Sequence, residues 1–250
     1  MASDYFVTVG VDPSVNSTGV CVYRYSGGRS EVVEYYCIGA DCRGSKPSKS
    51  TIEFYNGNGI KFVDYGKNPD RPVEYSEREL VKTDNLVNSA WCLREVLESV
   101  SEKLGGINCV VMEGVSYGSV SGSSLVDLAG LNYLYREKIL EVCRNLVIAS
   151  PMEIKKFAVG NGGVDKDIMI RVWSKCESIP VPDNCKAKID DIADAYFMSL
   201  YGMCKCCPEF SESINIPEID FQDVRNNSVR KKSKKTDPET DKIVENFLEI

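Results

Sequence analysis

The sequence predicts a mixed α/β fold, in which an antiparallel β-meander is followed by alternating helices and strands that complete a five-stranded sheet. Three observations predict it. Short β-rich runs separated by turn residues occupy roughly the first 40 positions, and continuous apolar runs of strand length occur at 107–112 and 146–149. Stretches with apolar residues at helical spacing lie between and after those runs.

The meander is predicted at the N-terminus. Residues 6–11 (FVTVGV) and 19–23 (GVCVY) are rich in β-forming residues and flank a polar turn at residues 12–14 (DPS). Residues 31–38 have the composition of a third strand. Three consecutive strands joined by short turns are typical of an antiparallel meander.

A segment of different composition follows the meander. Residues 41–85 are rich in Gly, Pro, Ser, Lys and Asn, and contain only short β-like pieces at 52–55 and 60–65. We expect this segment to be an insertion on the surface.

The remaining chain alternates helices with buried strands. Apolar residues recur at helical spacing from 86 to 104 and stop at two glycines, which predicts one long helix. The uninterrupted apolar run 107–112 suits a strand that is buried on both faces. Further helices are expected at 123–144, from Pro151 onward, at 165–174 and at 187–201.

The domain organisation follows from where this pattern ends. We expect one domain over residues 1–204, with the insertion at about 41–85, because a chain of this length suits a single large core. Residues 205–250 form a C-terminal extension. Its basic run at 229–235 (VRKKSKK) is typical of partly disordered segments.

The composition limits the groups that could carry out catalysis or bind DNA. The net charge of -7 argues against a protein that coats DNA over its whole surface, although it allows a local basic groove. The chain has no histidine, which excludes Ser–His and Cys–His nucleophile pairs and any histidine base or ligand. Carboxylates with metal, or a thiolate, must therefore carry any reaction near neutral pH.

The cysteines and the hydropathy indicate a cytoplasmic protein that is neither secreted nor membrane-bound. Eleven cysteines are scattered and odd in number, so reduced thiols are favoured over a disulfide framework. No apolar stretch approaches the length of a membrane span. A zinc site is the alternative for five of the thiols, but they lack paired C-x-x-C spacing; they are Cys176, Cys185, Cys204, Cys206 and Cys207.

Four acidic residues lie where apolar elements begin or end. Asp12 follows the first strand and Glu113 follows the run 107–112, while Asp191 and Asp194 are three apart and share one face of a helix. Each alone is typical of a turn or a helix cap. Together they indicate a metal-binding cluster, because a buried carboxylate needs a cation or another positive partner. Asp190 is an alternative to Asp191.

The same residues lie in motifs that resemble the RuvC family of Holliday-junction resolvases. Residues 9–14 (VGVDPS), followed by STG, resemble the family's first motif, and 111–114 (VMEG) resemble its second. Residues 191–195 (DIADA) resemble its closing D-x-x-D-A. A fourth block, 150–155 (SPMEIK) with a GNG turn and Lys166 after it, resembles the stretch that carries two lysines near the cleaved strand. The four blocks occur in the family's order.

The resemblance implies an RNase H-like fold and a hydrolase that cuts branched DNA, in particular the four-way junction, as a homodimer. It implies two Mg²⁺ or Mn²⁺ ions per active site, held by Asp12, Glu113, Asp191 and Asp194. In this assignment Asp12 bridges the ions, Glu113 and either Asp191 or Asp194 are flanking ligands, and the other aspartate is a ligand or positions water. Lys155 and Lys166 are then phosphate contacts, with Lys156 beside them as a further candidate for DNA binding. A phage or viral source would place the protein in a host-cell or viral replication compartment.

The chain departs from the family pattern in two places. The family has an aromatic residue three positions after the catalytic glutamate, where this chain has Ser116 followed by Tyr117. Tyr117 is therefore the candidate for stacking on DNA bases. The distance from Asp12 to Glu113 is also longer than in the bacterial enzymes, which is accounted for by the insertion.

Two alternatives stay open at this point. An RNase H-like nuclease that processes flaps, forks or other replication intermediates would need the same residues. A catalytically silent nucleic-acid-binding scaffold would not need them, and the presence of acids at all four motif positions argues against it.

Overall fold

The computed structural model of the chain describes residues 5–42, 44–115, 123–182 and 189–211. The elements in chain order are β1 (Phe6–Asp12), β2 (Ser17–Ser26), β3 (Arg29–Gly39), α1 (Lys49–Gly57), β4 (Ile60–Asp64), α2 (Tyr75–Leu104), β5 (Cys109–Glu113), α3 (Ser123–Val142), β6 (Leu146–Ala149), α4 (Pro151–Val159), α5 (Lys166–Glu177), α6 (Asp190–Cys206) and α7 (Pro208–Ser211).

A mixed sheet with strand order β4-β3-β2-β1-β5-β6 forms the centre of the fold. Strands β1, β2 and β3 are an antiparallel meander, whereas β5 pairs parallel with β1 and β6 pairs parallel with β5. The predicted mixed α/β fold class is confirmed, and the meander followed by parallel strands is the RNase H-like arrangement that the motif resemblance implies.

The first part of the segment 41–85 differs from the expectation in two ways. The sheet has six strands instead of five, because β4 pairs parallel with the edge of β3. Residues 52–55, expected as a β-like piece, lie in helix α1, which begins with the side chain of Ser48 accepting from the Thr51 backbone N–H. The β-branched and aromatic composition of 52–55 therefore did not decide its structure; the capped helix start did.

Helix α2 begins at Tyr75, eleven residues before the predicted start. Its first turns are mostly exposed and carry good helix formers without an apolar stripe. Periodicity predicts only the part of a helix that packs against a core, so the exposed N-terminal turns were missed. Helix α6 also differs from the prediction: it spans Asp190–Cys206, whereas a helix was expected at residues 187–201.

Alternation along β1 assigns the two faces of the sheet. Val7, Val9 and Val11 are fully buried in one core together with residues of α2 and α3. Thr8 and Gly10 face α6 instead: the Thr8 hydroxyl donates to the Ser199 carbonyl at 2.9 Å, and Gly10 lies against the α6 backbone. Because strand side chains alternate with period two, Asp12 lies on the α6 side.

Two further predictions concern cysteines and membranes. The cysteines within the described residues are free thiols, and no group of three metal-ligating side chains is found among those residues. Cys185, the basic run at 229–235 and everything else beyond residue 211 lie outside the described residues. No helix in the described ranges is long and apolar enough to cross a membrane.

Candidate active site

Asp12 and Glu113 lie side by side at one edge of the sheet. Strands β1 and β5 are parallel, and their register pairs Val11 with Met112, so the two acids follow at the next position of each strand. Val110 and Met112 belong to the core formed with α2 and α3, which places Glu113 on the opposite, α6-facing side. The carboxylates of both strands are therefore directed to the same side of the same edge.

Helix α6 brings two more carboxylates to this edge because two glycines let it approach the sheet closely. A Cβ added at Gly19 would lie 2.0 Å from the carbonyl oxygen of Asp191, and one added at Gly10 would lie 1.9 Å from that of Ala195. No side chain fits in either place. The absence of a Cβ at these positions allows the first turns of α6 to lie against β1 and β2.

The four predicted carboxylates line one pocket of about 450 Å³. The β1–β2 turn, α3, and the starts of α4 and α5 complete its wall, and the two predicted lysines lie in it. The lining residues include Asp12, Asn16, Glu113, Ser124, Asn132, Lys155, Lys166, Asp191 and Asp194. The structure thus brings together residues that are up to 182 positions apart in the chain (from Asp12 to Asp194).

Asp12 has the most strongly perturbed environment of the four. Its side chain is buried, with only 7% of the residue exposed. Burial first, and then the charges of the other three carboxylates, raise the pKa of Asp12 well above its ordinary value, and the charge of Lys166 opposes this. A group in this environment is stabilised by any cation that enters the pocket.

The other three carboxylates are perturbed in the same direction. Burial raises the pKa of Glu113 to about 7, although Lys166 and a hydrogen bond with Asp12 lower it. Burial and the neighbouring Asp190 raise the pKa of Asp191 to about 7. Burial and the charge of Glu113 raise the pKa of Asp194 to about 7. Because ionisation of the four acids places several negative charges in one buried pocket, the pocket favours the binding of positive charge.

The two lysines are held in different ways. Lys155 Nζ donates to the Val164 carbonyl at 2.8 Å, which fixes its side chain along the pocket wall. Lys166 Nζ lies 2.7 Å from Asp190 Oδ2, while its side chain stays 61% exposed. Burial lowers the pKa of Lys166, but the hydrogen bond with Asp190 and the charges of the neighbouring acids outweigh it and raise that pKa. Both lysines therefore present positive charge beside the carboxylates.

The donor set fits divalent cations that prefer oxygen ligands. Asp194 Oδ1 is buried and has no hydrogen-bond partner among the described residues. An orphaned carboxylate oxygen beside three other acids is the environment that a bound Mg²⁺ or Mn²⁺ would satisfy. No three of these side chains are already drawn together as a ready metal-binding group in the described part of the chain.

The remaining site predictions have different outcomes. Asp190 does not line the pocket and is the ion-pair partner of Lys166, whereas Asp191 lines it and accepts a 2.5 Å hydrogen bond from Ser17 Oγ. Lys156 is exposed and is not part of the lining. Tyr117 lies outside the described residues.

Two supporting residues were not singled out from the sequence. The Asn132 amide donates to the Glu113 carbonyl at 2.8 Å and lines the pocket, and it is only 2% exposed. The Tyr135 hydroxyl lies 2.8 Å from Thr18 Oγ1 and 2.7 Å from Ser89 Oγ. Both are polar groups on the otherwise apolar face of α3, and that was the available signal.

No protein-family profile matches the chain, and no curated protein matches it in sequence. Among solved structures, Thermus thermophilus RuvC is 12% identical, with 78% of this chain and 96% of that chain covered and a TM-score of 0.46.

Two structures of complexes were also found. T. thermophilus RuvC with a Holliday junction substrate is 13% identical, covers 77% of this chain and 93% of its own, and has a TM-score of 0.45. Fowlpox virus resolvase with substrate Holliday junction DNA is 13% identical and has a TM-score of 0.40, with 78% of this chain and 95% of that chain covered. These matches are similarities of fold at low sequence identity.

Proposed function

We propose that this protein is a metal-dependent endonuclease of the Holliday-junction resolvase type. One observation carries the proposal: carboxylates from β1, β5 and α6 line a single pocket beside Lys155 and Lys166. Phosphodiester hydrolysis needs a group of this kind, because negative charge develops on both the attacking and the leaving oxygen and must be balanced.

Asp12, Glu113, Asp191 and Asp194 would hold two Mg²⁺ or Mn²⁺ ions. When bound, two such metal ions would supply a hydroxide-like nucleophile and stabilise the leaving oxygen. Four ionised carboxylates carry a charge of about -4, which two divalent cations balance. In the absence of cations, burial first and then the repulsion between these charges raise the pKa values of the acids.

The chain's own groups position the substrate and the ligands. Lys166 and Lys155 provide positive charge for the phosphate that is cut, and the Asp190 carboxylate orients Lys166. Ser17 fixes the Asp191 carboxylate by donating a hydrogen bond to it. Asn132 fixes the end of β5 and thereby the position of Glu113. The Thr18 hydroxyl accepts from the Ser14 backbone N–H at 3.3 Å and holds the turn that follows Asp12.

A homodimer would suit this substrate, because a four-way junction is cut at two positions related by a dyad. Helix α3 lies beside the pocket and exposes large apolar side chains, with Val126 70% and Tyr133 61% exposed. We propose this face of α3 as the dimer contact. Sedimentation of the wild type and of Tyr133→Glu tests it, with a shift to monomer expected in the variant.

The decisive experiment is cleavage of synthetic DNA. Purified protein is expected to cut a four-way junction with Mg²⁺ or Mn²⁺, whereas Asp12→Asn and Glu113→Gln reduce the rate at least about 10³-fold and leave binding largely unchanged. Asp84→Asn, an exposed acid on α2, is the matched control. Equal activity of the pocket variants and the control would disprove the assignment.

The same assay distinguishes between the candidate substrates. Paired symmetric nicks in the four-way junction support resolution, and preference for flaps or forks supports processing of replication intermediates by the same active site. Binding without cleavage under every metal condition would favour a silent scaffold.

A further inference from the structure

A second and larger pocket, of about 750 Å³, adjoins the carboxylate pocket. Val15, in the turn after Asp12, lines both. The second pocket lies between the segment 65–71, the first turns of α2 and the start of α3. Its size is in the range of pockets that enclose ligands. Most of its wall comes from the segment 41–85, which the motif resemblance does not cover.

The charge of this pocket is opposite to that of the whole chain. Its lining carries four cationic side chains, Lys67, Arg71, Arg78 and Lys82, and two acidic ones, Asp70 and Asp127. The chain as a whole carries a net charge of -7. Local accumulation of positive charge on an acidic protein indicates an anionic ligand.

Three of the four cations remain available for such a ligand. Lys82 is paired with Glu79 at 2.9 Å, but among the described residues no ion pair involves Lys67, Arg71 or Arg78. Arg78 donates one bond to the Val73 carbonyl and Lys67 donates one to Ser45 Oγ, so each keeps further N–H donors.

The segment that carries two of these cations is held in place by side chains. The Asn85 amide group accepts from the Asn68 backbone N–H at 2.7 Å and donates to the Asn68 carbonyl at 3.0 Å. Asn68 Oδ1 in turn accepts from the Asp70 backbone N–H at 2.9 Å. Fixed backbone on both sides of Asn68 means that Lys67 and Arg71 are presented in a defined arrangement before any ligand binds.

We infer that this pocket binds the phosphates of the DNA strand that continues from the cleaved position, with Lys67, Arg71 and Arg78 as the contacts. The inference rests on the proposed function and extends it, because it gives the substrate a path past Val15. Guanidinium and ammonium groups on a fixed wall match the chemistry of a phosphodiester backbone.

The test compares two triple variants that remove the same charge. One is Lys67→Gln, Arg71→Gln, Arg78→Gln; the control is Arg29→Gln, Arg144→Gln, Lys175→Gln, exposed cations away from both pockets. Fluorescence anisotropy with a labelled four-way junction, without divalent cations, gives Kd over a range of salt concentrations. Thermal unfolding verifies that each variant is folded.

We expect the pocket variant to bind about 10-fold or more weakly at physiological salt, and its slope of log K against log salt to fall in magnitude by about 2 to 3. Arg71→Gln alone, at an exposed position, is expected to lower the slope by about 1. The control triple is expected to lose much less in both measurements.

The outcomes distinguish this inference from the proposed function. If the wild type cleaves the junction but the two triple variants have the same affinity and salt slope, the pocket does not bind the strand and the inference is wrong while the function stands. If the wild type neither binds nor cleaves any DNA, the proposed function fails and this inference fails with it. Weaker binding of free inorganic phosphate alone, with DNA binding unchanged, also overturns the inference.

Discussion

At the scale of single residues, the buried carboxylate of Asp194 lowers the stability of the folded chain. Its carboxylate is buried, one oxygen lacks a hydrogen-bond partner among the described residues, and Glu113 lies near enough to raise its pKa. A buried charge without a partner destabilises a fold. The proposed role of Asp194 as a metal ligand accounts for a buried acid that does not stabilise the fold.

Asp194→Asn is expected to stabilise the metal-free protein by about 1–2 kcal/mol, because it removes a repelled and desolvated carboxylate while keeping its shape. Denaturant unfolding without divalent cations measures this. Asp84→Asn, at an exposed position, is the control and is expected to change the free energy of unfolding by less than about 0.5 kcal/mol. A clear loss of stability in Asp194→Asn would mean that the carboxylate has a structural partner.

At the scale of elements, the contact between α6 and the sheet decides the geometry of the site. Two of the four carboxylates belong to α6, and the helix lies where Gly10 and Gly19 leave room for its backbone. Neither position has a positive φ, so backbone conformation does not require glycine there. The close approach of two backbones does.

Gly19→Ala is expected to destabilise the fold by about 2–3 kcal/mol and to reduce cleavage, because the added methyl group would displace the backbone of Asp191. Gly57→Ala is the matched control: a Cβ there meets nothing within 4 Å, and the residue ends helix α1. Chemical unfolding and cleavage assays on both variants check this. Equal stability of the two variants would show that α6 can shift without cost.

Glu34 joins three elements on the other side of the sheet. It lies in β3, pairs with Lys61 of β4 at 2.9 Å and with Lys103 of α2, and accepts from the Tyr36 hydroxyl. Burial raises its pKa, but the hydrogen bonds from Lys103, Lys61 and Tyr36 outweigh this and lower it to about 2. Its side chain is 11% exposed, whereas both lysines are more than half exposed.

The stability that Glu34 contributes is expected to depend on pH. Because its pKa is lower in the folded chain than its ordinary value of 4.5, the contribution is present above about pH 4.5 and is lost as the pH falls toward 2. Glu34→Gln should cost about 1–2 kcal/mol at pH 6, after allowance for the solvent-exposed lysines, and progressively less toward pH 3. Urea unfolding of both proteins across this range measures it; a difference that does not change with pH would contradict the ion pairs.

At the scale of the whole molecule, charge is distributed unevenly. The chain has a net charge of -7, yet four carboxylates line one pocket while lysine and arginine side chains line the neighbouring one. Under the proposed function, divalent cations would relieve the repulsion between the carboxylates of the first pocket, whereas monovalent salt only screens exposed charges.

Millimolar MgCl₂ is therefore expected to raise the Tm by about 2–6 °C, and NaCl of equal ionic strength by less, because ligand binding to the folded state alone stabilises it. Differential scanning fluorimetry measures the shift. The double variant Asp12→Asn, Glu113→Gln should lose it. An equal shift from both salts would place the effect at the surface instead of in the pocket.

The sequence by itself determined most elements, and it singled out the four acids that are the proposed metal ligands. Strand and helix positions follow from local periodicity, and the acids stand out because each adjoins a buried apolar run in a chain without histidine. These features depend on neighbours within a few positions of the chain, so the sequence alone predicts them. Tyr117 and the domain boundary near 204 remain predictions.

Only the tertiary structure decided what depends on distant neighbours. Contacts between remote segments set the pairing of β4 with β3 and the exposed start of α2. Such contacts also place Asp191 in the pocket and pair Asp190 with Lys166. The second pocket is formed by three such segments. Local pattern sets which face of an element is buried, but the approach of α6 through Gly10 and Gly19 sets where the carboxylates meet, because that distance is a property of two backbones in contact.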